Sequence, residues 1–227
     1  MDFIFMLTRD DQTVVDCLDL VEELADVPLE HIGFKDVGVD TATLRALHTA
    51  LRERGAETYL EVVSANRETA LQSARMGRDL GVDWLMGGTW VDETLEILAD
   101  SDTKYLPFPG APTGHPTVLG GTAEQIAADT ARFEQSGAAG VDLLAYRASD
   151  GDPLGLVAAA RAAGTGRLVV AGSIGHTSQI RALADAGADA FTIGQAALSG
   201  AYNPRRGTLR GQLNEILDAA SAASVHA

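Results

Sequence analysis

Eight times along the chain a short apolar run gives way to an amphipathic helical stretch, and this alternation limits the open folds more than any other feature. The apolar runs 3–7, 31–35, 58–63, 83–86, 104–108 and 141–147, with two more ending at Ala171 and Ile193, are predicted strands. The stretches between them carry apolar residues at helical spacing, as Leu44, Leu47 and Leu51 do. Successive strands joined by helices imply parallel pairing with crossover connections. Eight such units, spaced at roughly 21 to 37 residues, predict one α/β domain over 1–227, a single (βα)8 TIM barrel. An open doubly wound sheet usually has fewer strands and a Gly-x-Gly-x-x-Gly first turn. Here the first turn is Thr8-Arg9-Asp10-Asp11, and a loop is expected over 109–121. The Ala/Ser-rich tail from 220 onward is expected to fray.

Charge narrows the partners. A formal net charge of −15 argues against nucleic acid and anionic membrane, both of which call for clustered Lys and Arg. Cys17, the only cysteine, lies in an apolar helical pattern and is expected to be buried and inert. His31, His48, His115, His176 and His226 show no metal-ligand spacing, so neither metal nor cofactor is expected. With no long apolar run and no basic leader, the cytoplasm is the expected location, and a homo-oligomer stays open.

The last two strands end alike, at Gly172-Ser173 and Gly194-Gln195, about 22 positions apart as adjacent βα units require. Glycine lets backbone N–H groups approach a ligand, and a short helix starting at Gln195 would add its own free amides. A phosphate cup is the expectation.

A weak repeat gives a ruler for the rest. Gly81-Val82-Asp83, Gly140-Val141-Asp142 and Gly187-Ala188-Asp189 each read as a helix cap followed by a strand. The three aspartates then mark the N-terminal rim, away from the chemistry, so Asp142 is assigned a structural role with Asp83 and Asp189. Counting upward brings Lys35, Asp36 and Arg147 to the opposite rim. Alternation turns Gly33 and Lys35 inward, where loss of solvation should lower the ammonium pKa. That suits a proton shuttle or an imine-forming amine. Glu61 is a carboxylate inside an apolar strand; the count sets it level with Phe34 rather than Lys35 and leaves its facing open. A Lys35–Glu61 pair would move a proton next to a carbonyl, or be a plain buried ion pair. Arg147 and Asp36 could hold substrate, and His115, on the long loop after strand 5, could deliver a proton from a lid.

The segments Ala171-Gly172-Ser173-Ile174 and Ile193-Gly194-Gln195-Ala196-Ala197-Leu198 resemble the turns of phosphate-binding barrels, among them indole-glycerol-phosphate synthase, the ProFAR isomerase of histidine biosynthesis and N-acetylmannosamine-6-phosphate epimerase. The resemblance implies that Gly172, Ser173, Gly194 and Gln195 bind a substrate phosphate through backbone amides. Elsewhere it is loose: the isomerases' strand-1 Asp is replaced by Met6-Leu7-Thr8, and the decarboxylases' Asp-x-Lys-x-x-Asp has only Lys35-Asp36 as a counterpart. The Lys and Glu of the epimerases are echoed by Lys35 and Glu61. The function expected is an enzyme that isomerises or epimerises a small phosphorylated sugar or sugar acid by acid–base chemistry. The alternatives are a Schiff-base aldolase or decarboxylase acting through Lys35, and a non-catalytic phosphometabolite-binding regulator.

Overall fold

The computed structural model describes residues 1–64, 66–114 and 116–224. Eight parallel strands form the barrel: β1 (Asp2–Met6), β2 (His31–Lys35), β3 (Glu57–Val62), β4 (Trp84–Gly87), β5 (Lys104–Leu106), β6 (Gly140–Leu143), β7 (Arg167–Val170) and β8 (Ala190–Ile193). The paired order runs β6-β7-β8-β1-β2-β3-β4-β5. The cylinder closes between β5 and β6, where Ala139 N–H donates to Tyr105 O and Asp142 N–H to Pro107 O.

Helices α1 (Cys17–Glu23), α2 (Thr41–Glu53), α3 (Arg67–Leu80), α4 (Val91–Leu98), α5 (Ala123–Ser136), α6 (Pro153–Ala163), α7 (Thr177–Asp185), α8 (Gln195–Leu198) and α9 (Leu209–Ser224) accompany the strands. Their starts follow from capping: Asp40, Asn66, Thr122 and Asp152 each accept a hydrogen bond from a first-turn amide. Period-2 alternation divides each strand between two cores. Outward residues such as Phe34, Leu60, Leu143 and Phe191 pack under the helices, while Ile4, Met6, Tyr59, Trp84, Met86, Leu106, Val169 and Ala190 fill the lumen.

Three local differences from the sequence reading matter. The turn after β1 is a small antiparallel hairpin, Thr8–Arg9 with Gln12–Thr13, and the loop over 109–121 contains another, Ala111–Thr113 with Val118–Gly120. Strand β6 stops at Leu143, and Ala145–Arg147 is a 3-10 turn. Helix α9 continues to Ser224 with Ala220 and Ala223 buried, so the chain stays helical over 220–224, and the rest of the expected frayed tail, 225–227, lies outside the described residues.

Candidate active site

At the C-terminal ends of the strands lies a cavity of about 500 Å³, bordered by Lys35, Glu61, Asp11, Arg147 and the turns at Gly172 and Gly194. Residues Lys35 and Glu61 are direct neighbours in the β2–β3 register, so Glu61 stands level with Lys35 and faces inward with it. The Lys35 Nζ lies 3.2 Å from Glu61 Oε1 and 2.9 Å from Asp11 Oδ1. Lys35 is 4% and Glu61 5% exposed.

Asp11 is the residue that the sequence reading missed. It sits in the two-residue turn of the first hairpin, 7% exposed, and its carboxylate receives both arms of Arg147, at 2.7 and 3.0 Å. The Thr117 amide also donates to it, at 3.3 Å, which ties the second hairpin to the site. Burial alone would raise the Asp11 carboxyl, but the Arg147 hydrogen bonds and the Lys35 charge hold it far below the usual carboxylate range.

For Lys35 the direction is the reverse of the expected fall. Burial does disfavour the ammonium, yet the Glu61 and Asp11 carboxylates outweigh it, and the pKa is raised. Asp10, Asp11 and Ser173 are the non-glycine residues with positive φ (51°, 57° and 58°) among the described residues, and all three line this cavity. Backbone strain collects where a site requires it.

The glycine turns are placed as expected, with additional reasons for glycine. Gly172 has φ +80°, and a Cβ there would come within 2.3 Å of Arg147 Nε. A Cβ on Gly194 would meet Met6 O at 2.7 Å. The amides of Gly172, Ser173 and Ile174 donate to no protein acceptor among the described residues. Gln179 braces the loop, accepting from Gly175 N–H and donating to Ser173 O. Gln195 Oε1 accepts from Asp10 N–H at 2.9 Å and fastens α8 to the first hairpin.

Of the residues named from sequence, Asp36 is not brought into the site, and Asp142 has changed place. Asp36 follows Lys35, so alternation turns it toward α3, where its carboxylate accepts from Ser73 Oγ and Val63 N–H. His115 lies outside the described residues. Asp142 is not on the N-terminal rim with Asp83 and Asp189. It is on the inner wall of β6, 0% exposed, paired with Val169 of the lumen core. The ruler slipped because the glycine that caps α5 is Gly137, not Gly140. Gly137-Ala138-Ala139 is the true counterpart of Gly81-Val82-Asp83, so Asp142 stands three residues higher than the count implied. Asp83 and Asp189 do stay at the foot, bound to Arg52 with Thr58 and to Arg161 with the Leu168 amide.

No protein-family model and no curated protein matches this chain. Solved structures do match, at low identity. A 4-hydroxy-2-oxoglutarate/2-dehydro-3-deoxyphosphogluconate aldolase aligns at 16% identity over 97% of this chain and 93% of its own, with a TM-score of 0.64. Tryptophan synthase from M. tuberculosis aligns at 15% over 96% and 92%, TM-score 0.65. The (S)-3-O-geranylgeranylglyceryl phosphate synthase from Thermoplasma acidophilum, solved with sn-glycerol-1-phosphate, aligns at 13% over 96% and 92%, TM-score 0.61. The chain has the (βα)8 TIM-barrel fold. Likeness at this level establishes the architecture, and function has to come from the site.

The site supplies one ammonium, one guanidinium and two contacting carboxylates around an open volume. Among the described residues no group of three His, Cys, Asp or Glu could hold a metal ion. No helix of the described residues is long and apolar enough to cross a membrane.

Proposed function

We propose that the protein is an enzyme that moves a proton at the carbon next to a carbonyl of a small phosphorylated sugar or sugar acid, giving isomerisation or epimerisation. The supporting observation is the Lys35 ammonium, buried between Glu61 and Asp11 at the floor of a cavity whose far wall is the Gly172 and Gly194 turns. The phosphate sits against the amides of Gly172, Ser173 and Ile174 and the start of α8, held by main-chain dipoles. Glu61 takes the proton from carbon, and Lys35 hydrogen-bonds the oxygen on which negative charge develops. Arg147 carries further positive charge to the same mouth, its orientation set by Asp11.

A second reading makes Lys35 the nucleophile of an imine-forming aldolase or decarboxylase. An aldolase among the structures of this fold supports it. The raised Lys35 pKa weighs against it, because an imine forms only from the neutral amine.

One experiment separates the two. A panel of phosphorylated aldoses, ketoses and sugar acids is incubated with the protein in D2O and followed by NMR, with and without borohydride. Deuterium entering next to the carbonyl, abolished by Glu61→Gln and accompanied by no covalent adduct, is the expected result. A borohydride-trapped adduct on Lys35 would replace the first reading by the second. Full exchange in both Lys35→Ala and Glu61→Ala would remove these residues from the chemistry.

A further inference from the structure

Asp142 is the interior acid that the proton-transfer scheme leaves without a task. Neither Oδ1 nor Oδ2 has a hydrogen-bond partner among the described residues. The adjoining strands present Leu106 and Val169 to the same lumen, both apolar and fully buried. The charged groups facing it are Glu61 from β3, Lys35 from β2 and Arg147 from the turn after β6. Asp11 lies beyond the two cations, bound to both.

An ionised carboxylate without donors in such a place is strongly disfavoured, and a second anion beside Glu61 adds repulsion. Charge counting agrees. Asp11 and Glu61 balance Lys35 and Arg147, so an ionised Asp142 would leave an uncompensated negative charge inside the barrel.

We propose that Asp142 is a positioning residue of the site: a neutral carboxylic acid beneath the Lys35–Glu61 pair that fixes the protonation of that pair. While Asp142 keeps its proton, Glu61 stays a carboxylate able to act as base and Lys35 stays an ammonium. Burial and the Glu61 charge push its carboxyl well above the usual range, in keeping with this role. With the proton on Glu61 and Asp142 ionised, the cluster's total charge would be the same but the base would be lost. Asp142 thus sets the fraction of molecules ready to react. This inference deepens the acid–base reading and rests on it.

The test uses the intact protein with 13C-carboxyl-labelled Asp and Glu, titrated by NMR. One aspartate is expected to be protonated at neutral pH, with a signal that is missing in Asp142→Asn. In Glu61→Gln that aspartate should titrate at least about one pH unit lower, since the repelling charge is gone. An Asp142 ionised at neutral pH, or a midpoint indifferent to Glu61→Gln, overturns the proposal. Asp142→Leu, which matches the apolar lining, serves in place of the amide if Asp142→Asn does not fold. With a substrate from the D2O screen, Asp142→Asn should shift the pH profile of kcat. An unchanged profile counts against the role. The NMR arm needs no substrate, so it stands or falls separately from the proposed reaction.

Discussion

The foot of the barrel holds a polar cluster much like the one at its mouth, and comparing them shows what sets the proposed site apart. At the foot, Tyr59 stacks on Trp84 with centroids 6.0 Å apart and planes 4° from parallel. Glu57 accepts from Trp84 Nε1 and Tyr59 OH and pairs with His31. Arg167 binds Asp2 and stands over the Trp84 ring, which Lys104 also covers. Rings fill the lumen there and the charges rest on them. At the mouth no aromatic residue lines the cavity among the described residues, and the volume that rings would occupy is open to a ligand. Charge density is similar at both ends; what the charges face is different.

The contrast can be broken most directly at Lys35. Lys35→Met leaves Glu61 buried without its cation and Asp11 with Arg147 alone, which should cost about 3–5 kcal/mol by urea denaturation. Deuterium exchange into substrate should fall by about 10²–10⁴-fold. Trp84→Ala makes the matching cut at the foot: a stability loss of about 3–5 kcal/mol with the exchange rate per folded molecule unchanged. If Trp84→Ala also abolished exchange, the two ends would not be independent.

Gly172→Ala sharpens the picture of the mouth. The new Cβ meets Arg147 at a left-handed backbone position, so a loss of about 1–3 kcal/mol is expected, together with weaker protection of the fold by inorganic phosphate. Asp11 supplies the pH test. Its folded pKa lies below its unfolded value of about 4, so its contribution is complete above that pH and drains away as the pH falls further. The wild type should therefore lose about 1–2 kcal/mol more than Asp11→Asn on acidification from about pH 5 to pH 2. The smallest effect belongs to Arg52→Ala, whose half-exposed pair with Asp83 at the foot should be worth under about 1 kcal/mol and nothing in turnover.

Much of this could be read from residue order. Eight apolar runs separated by amphipathic helices contain the barrel, and strict alternation along His31–Lys35 puts Lys35 inside. Asp11 was not legible because its partners, Arg147 and Thr117, are distant in sequence and meet it only when the cylinder closes. Its one local signal was the Asp10-Asp11 pair between Thr8-Arg9 and Gln12-Thr13, a pattern fit for a tight hairpin at a strand's C-terminal end. The Asp142 error has a different origin: Gly137 and Gly140 are both plausible caps, and a slip of three residues carries a side chain from rim to interior. The sign of the Lys35 shift needed the count of carboxylates around it, which no spacing rule provides.

The closure of β5 on β6 has a kinetic meaning. That junction is held by Ala139 and Asp142 amides reaching Tyr105 and Pro107 carbonyls rather than by an extended ladder, so it is where the cylinder is expected to open first. Because the Asp142 carboxyl hangs from the same residue as one of those amides, each brief parting of the wall lets bulk water refresh its proton. The breathing rate of that backbone seam is then the expected clock for re-equilibration of the buried acid.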